Sequence, residues 1–370
     1  MTAITKWGIA LSCVLVPVWL MVELYVFDLF PAQKNLPAFK QVTNKVAEQQ
    51  LAHGLALWRD KKYQQASQAF SLLGSHNLSD DLQSLNGLYQ YHTAAFNKNR
   101  NSDFMQQLST LPDDCKQKLL FVTPDIESLE QAEHFRSRFA QDQRLKSLSI
   151  CIYDVTWFDP VDIACEENWQ KSGRLGCQLL SLAEKLKSLP FTHLVMFAAK
   201  GKANVHNGIM FLDRQDTYDV FIHELAHFSG FIDEYPLSQG LAKRVCAGVD
   251  SPNVVFKTAE QLNVDKQYWQ SIGQQINTDI FTARTCDNHS TQAFKTSNQL
   301  TFMEYHDTAF IPVQYLTAWQ RQLQRTPNLP SAHINFAQLY EQSNNQSESQ
   351  FWRTKYQQYL SDNTDTNNKL

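Results

Sequence analysis

The run His223-Glu224-Leu225-Ala226-His227-Phe228-Ser229-Gly230-Phe231-Ile232-Asp233 constrains this chain of 370 residues more than any other stretch. Residues four apart on a helix lie one above the other, so a helix here presents both imidazoles to one point, with Glu224 on the flank. Gly230 follows the second histidine by three residues and can take the left-handed conformation that ends a helix. The reversal then carries Asp233 round toward the rings. Two histidines and one carboxylate leave a fourth position for water, as a catalytic zinc requires and a closed structural zinc does not. The expected centre is a zinc hydrolase site with His223, His227 and Asp233 as metal ligands and Glu224 as the base.

The pattern HExxHxxGxxD resembles the metzincin metallopeptidases, in the variant with aspartate as third ligand found in snapalysin. The run Asp233-Glu234-Tyr235 is similar to one in the IgA-peptidase family of metalloproteases. Downstream, Thr301-Phe302-Met303-Glu304-Tyr305 resembles the turn whose methionine floors the metal in metzincins. The resemblance implies a zinc endopeptidase in which Tyr305 joins Glu224 in the catalytic set, binding the resting metal or donating a hydrogen bond to the tetrahedral intermediate. It also implies that residues 207–212 form an antiparallel edge strand to which an extended substrate adds itself. The residues alone read equally well as an interior strand. Glu234 and Tyr235 read as packing and solvation at the helix exit and stay outside the catalytic set.

Around this motif, Leu119–Thr123, Leu148–Val155 and His193–Ala198 read as strands. Ile126, Leu129, Ala132, Phe135 and Phe139 mark an amphipathic helix, and Leu175–Leu189 reads as another. The expected fold class is α+β: a metzincin-like domain over 116–310, with a twisted mixed sheet and an active-site helix spanning Thr217–Ser229. Helical segments flank it. Over 37–112, Gly54, Leu57, Ala66 and Phe70 fall at the small and aromatic positions of a tetratricopeptide-like hairpin, with a degenerate second unit near Leu82–Phe104. A C-terminal helical region covers 311–370, with helices at Val313–Leu323 and Ser331–Leu360.

Residues Trp7–Phe27 are long and apolar enough to cross a bilayer, so 1–30 reads as a transmembrane anchor, with a cleaved signal peptide as competitor. Six cysteines remain outside it, an even number that suits an oxidising compartment, and the expected pairs are Cys246 with Cys286 and Cys165 with Cys177. A net charge of -4 and a pI near 6.3 offer no basic footprint for nucleic acid. The expected partners are a protein or peptide substrate, proteins bound through the helical repeats, and the membrane. The expected setting is a membrane-anchored protein with its bulk in the periplasm or otherwise outside the cytoplasm. The competing reading is a non-catalytic tetratricopeptide-type envelope scaffold whose metal site is structural or vestigial.

Overall fold

A computed structural model describes residues 45–60, 62–73, 111–112, 114–153, 155–157, 163–247, 251–256, 280–325 and 329–364. The expected membrane anchor and the second helical unit near 82–104 lie outside these residues. Among the described residues, no helix is long and apolar enough to cross a membrane.

The sheet is built from short apolar runs. In chain order its strands are β1 (Gln117–Thr123), β2 (Ile150–Ile152), β3 (Thr156–Trp157), β6 (His193–Ala198), β7 (Asn204–His206) and β8 (Ile209–Asp213). Its order is β2-β1-β6-β8-β7, with β3 also pairing β1. All pairings are parallel except β7 with β8. Strands β6 and β8 are buried along their whole length, as a parallel sheet covered on both faces demands.

The pleat divides the core in two. Leu119, Phe121, Val195, Phe197, Met210 and Leu212 face one apolar cluster, and Leu120, Val122, Leu194, Met196, Ile209 and Phe211 face the other. The first cluster is covered by α1 (Lys45–Arg59), α2 (Tyr63–Leu73), α3 (Ile126–Gln141), α5 (Tyr218–His227) and α7 (Val313–Arg325). The second is covered by α4 (Leu180–Leu186), α8 (Ala332–Gln342) and α9 (Gln346–Thr364). The fold is therefore mixed α/β: the sheet is mixed and flanked by helices as expected, but its pairings are mostly parallel and helices cover both faces. Alternate side chains of each strand need separate apolar partners, and the C-terminal helices supply the second set.

Three expected elements are shorter than the sequence suggests. The strand over Leu148–Val155 is realised only as β2, and β3 begins beyond it at Thr156. The helix over Leu175–Leu189 begins only at Leu180; its first residues form β5 (Gly176–Cys177), paired with β4 (Cys165–Glu166). The helix over Ser331–Leu360 is two, since Asn344 takes a left-handed φ of 59° between α8 and α9. The strand expected over 207–212 is realised as β8 and is interior, so the sheet edge belongs to β7.

The N-terminal hairpin packs as its small residue requires. A Cβ on Gly54 would lie 2.5 Å from the Phe70 ring, so α1 and α2 approach closely only because that position is glycine. Ala66 and Phe70 are fully buried in the same cluster as the sheet. Disulfides join Cys115–Cys151, Cys165–Cys177 and Cys246–Cys286. The last closes a loop of 40 residues, a constraint worth about 4 kcal/mol in the chain-entropy account.

Candidate metal centre

Helix α5 starts where Thr217 caps it, its hydroxyl accepting from Val220 N–H. Phe221 anchors it, meeting Phe121 edge-on at 5.6 Å and stacking on Phe135 at 5.7 Å. Burying that ring stabilises the helix seat by about 1.5–3 kcal/mol. The opposite turn positions carry His223 and His227, their rings 5.0 Å apart and nearly perpendicular. One ligand atom from each of His223, Glu224 and His227 lies within 4.8 Å of the others.

Each imidazole is aimed by a main-chain carbonyl. His223 Nδ1 lies 2.8 Å from Phe302 O, and His227 Nδ1 lies 2.8 Å from Phe231 O. A proton on each Nδ1 satisfies those carbonyls and turns each Nε2 lone pair inward, the usual outer support of a metal-binding histidine. Asp233 Oδ1 lies 3.0 Å from His223 Nε2 and 3.2 Å from His227 Nε2. It is buried and makes no properly directed hydrogen bond. Lone pairs and a carboxylate oxygen so close repel one another unless a proton on an imidazole or a cation lies between them. Ligand atoms around a tetrahedral zinc at about 2.0–2.2 Å lie roughly 3.3–3.6 Å apart, near the spacing seen here. The donor set fits a divalent ion of that kind.

The charges agree with this geometry. Burial opposes charge on His227, but Asp233 and Glu224 outweigh it and lift the ring to about 9. Burial likewise opposes ionisation of Asp233, yet the two imidazoles hold it well below the usual carboxylate range. Glu224 is raised, chiefly by burial, with His227 and His223 pulling the other way. A carboxyl raised in this manner is suited to accept and return a proton.

Several devices place Asp233. Gly230 has φ +82°, and the reversal closes with Gly230 N–H to His227 O and Phe231 N–H to Ala226 O. Asn253 then clamps the loop, its Oδ1 accepting from Ile232 N–H and its Nδ2 donating to Ile232 O and Glu234 Oε1. Glu234 is fully buried and receives Lys295 Nζ at 3.0 Å and Thr301 Oγ1 at 2.7 Å. Lys295 also reaches Glu304, and Glu234 N–H donates to Met303 O. The methionine turn is thus tied to the ligand loop through Glu234 and to His223 through Phe302. Met303 itself is fully buried.

Among the expected site residues, His223, Glu224, His227 and Asp233 come together. Among the described residues no hydrogen bond ties Tyr305 to this cluster. It is 51% exposed, stacks on His306 at 5.5 Å and bonds its hydroxyl to Asp307. The phenol that reaches the ligands is Tyr235, whose hydroxyl bonds to Asp233 and feels the charge of Glu224. Burial, then Asp233, push its pKa far up, so it stays a donor at any physiological pH. Sequence reasoning set Glu234 and Tyr235 aside although their run had been noticed. Asn253 and Lys295 carried no local signal at all. Comparison with known protein families, with curated proteins and with solved structures finds no match to the chain.

Proposed function

We propose that this protein is a zinc-dependent endopeptidase acting on protein substrates. The observation that carries the reading is the convergence of two inward Nε2 atoms and one carboxylate oxygen beside a buried carboxyl. A zinc ion held by His223, His227 and Asp233 would acidify water and polarise the scissile carbonyl. Glu224 takes the proton of the attacking water and hands it to the leaving nitrogen, so that the bond breaks without releasing a charged amide. The Phe302 and Phe231 carbonyls keep both rings oriented throughout. Tyr235 holds the Asp233 carboxylate in place by its hydroxyl.

Three disulfides suit an oxidising compartment, and the apolar run Trp7–Phe27 supports a membrane-anchored protein working outside the cytoplasm. The test is metal analysis of the purified protein together with cleavage of casein in the presence and absence of a chelator. Stoichiometric zinc and chelator-sensitive cleavage are expected. Glu224→Gln should keep the zinc while slowing cleavage by about 100-fold to 10,000-fold. A variant that cleaves as fast as the parent would remove Glu224 from the reaction.

A further inference from the structure

A further imidazole stands beside the ligand pair without belonging to it. The ring of His306 is centred 6.4 Å from that of His223 and is nearly perpendicular to it. It lies on a short 3-10 turn, His306–Thr308, which follows the methionine turn and packs against α5. Two imidazoles on one tetrahedral zinc have ring centres about 5 Å apart, as His223 and His227 do at 5.0 Å. The ligand atoms that gather within 4.8 Å of one another come from His223, Glu224 and His227, so His306 stands one step outside them. A molecule bound at the site meets that shell next.

The turn is fixed, yet the ring stays accessible. Arg144 donates from Nη1 to Ala309 O, and the Asp142 carboxylate that clamps Arg144 also receives the hydroxyl of Tyr218 from α5. Phe302 N–H donates to Phe310 O, and Ala309, at φ 51°, donates to His306 O. Tyr305 stacks on the imidazole, but 40% of the His306 side chain is exposed. The polarity of the ring follows from its partner. His306 Nδ1 lies 2.6 Å from Asp307 Oδ1, and a carboxylate only accepts, so Nδ1 carries the proton and Nε2 of the neutral ring offers a lone pair. His193 and His333 are different: both are buried, and their Nδ1 atoms lie against the hydroxyls of Thr192 and Ser331, which can donate or accept.

We propose that His306 contacts substrate, its Nε2 accepting a hydrogen bond from a main-chain N–H beside the scissile bond. The inference rests on the peptidase reading. An acceptor of this kind recognises what every polypeptide repeats and an ester lacks, so it favours peptide substrates whatever their side chains. Asp307 orients the ring, as a carboxylate behind an imidazole does, and the Arg144 contact with Ala309 keeps the turn where substrate passes.

The test uses zinc-loaded protein at mildly alkaline pH and internally quenched peptides built on a sequence cut from casein. In each peptide one amide near the cleavage point, other than the scissile one, is replaced by an ester, which removes the N–H, and products are identified by mass. At one position the ester should lower kcat/KM of the parent by about fivefold to tenfold. His306→Ala, and His306→Phe, which keeps a ring against Tyr305, should lower kcat/KM for the all-amide peptide by a similar factor and abolish the ester penalty. Zinc affinity, measured against a fluorescent chelator, should stay within about twofold of the parent, far from the loss that removing a metal ligand or its outer partner causes. No ester penalty at any position, or a penalty as large in both variants as in the parent, overturns the assignment and leaves the peptidase reading standing. A fall in zinc affinity of about tenfold or more in both variants also overturns it, since His306 would then act on the ion. No cleavage of any peptide or of casein by zinc-loaded protein overturns both readings.

Discussion

Two histidine pairs of this molecule stand in different surroundings. His223 and His227 face Asp233, and His227 is raised to about 9 despite its burial. His193, at the start of β6, and His333, on α8, sit where the C-terminal helices meet the sheet, and each is pushed down to about 3. Burial is the largest cause at both, followed for His193 by the charge of His333 and for His333 by that of Lys355. His193 packs on Phe228 at 4.5 Å, and His333 stacks on Trp352. The residue type is the same and the desolvation similar. What differs is a carboxylate, which favours charge on His227 and is missing beside His193 and His333, leaving them as neutral packing.

Removing that carboxylate should have the largest effect. Asp233→Asn keeps the shape but not the charge, and zinc affinity should fall by more than the ~100-fold that losing an outer partner costs at most. Competition against a fluorescent chelator measures it; unchanged affinity would mean the ion is held elsewhere.

Acid should expose the other pair. Folding lowers the pKa of His193 and His333 from 6.5 to about 3, so the unfolded chain binds more protons between those values. The contribution of these two rings is full above pH 6.5 and is lost as the pH drops, by roughly 2 kcal/mol per ring at pH 5. Glu130 and Asp216, both raised to about 7 chiefly by burial, act the other way, so the test compares variants: His333→Phe should lose about 2 kcal/mol of acid sensitivity in urea unfolding at pH 5 against pH 7.5. If the variant kept the whole of it, the acid sensitivity would belong to other groups.

The smallest effect concerns the phenol on the ligand carboxylate. Tyr235→Phe should weaken zinc binding about tenfold, with the fold intact by circular dichroism. Tyr305→Phe should leave zinc affinity as it is, because that hydroxyl bonds Asp307. The reverse ranking in a chelator titration would return the role to Tyr305.

Much of the centre was legible before any fold was known, because its information is local. Helical spacing stacks His223 on His227, and Gly230 permits the reversal that brings in Asp233. The buried runs of β1, β6 and β8 were equally plain. The choice between Tyr235 and Tyr305 was not, since both stand near the motif in sequence and only the direction of each hydroxyl separates them. Lys295 reads as an ordinary polar residue until it is seen buried against Glu234 and Glu304.

The chain's own order of residues decided the pairing of His223 with His227, the helix that carries them, and the turn that returns Asp233. Each depends on contacts between residues a few positions apart, where the backbone allows few alternatives. The tertiary structure alone decided that the sheet is covered on both faces and that Glu234 and Asn253 hold the Asp233 loop. Those outcomes join residues tens of positions apart, and their energies come from burial and charge pairing that exist only once the chain has closed on itself.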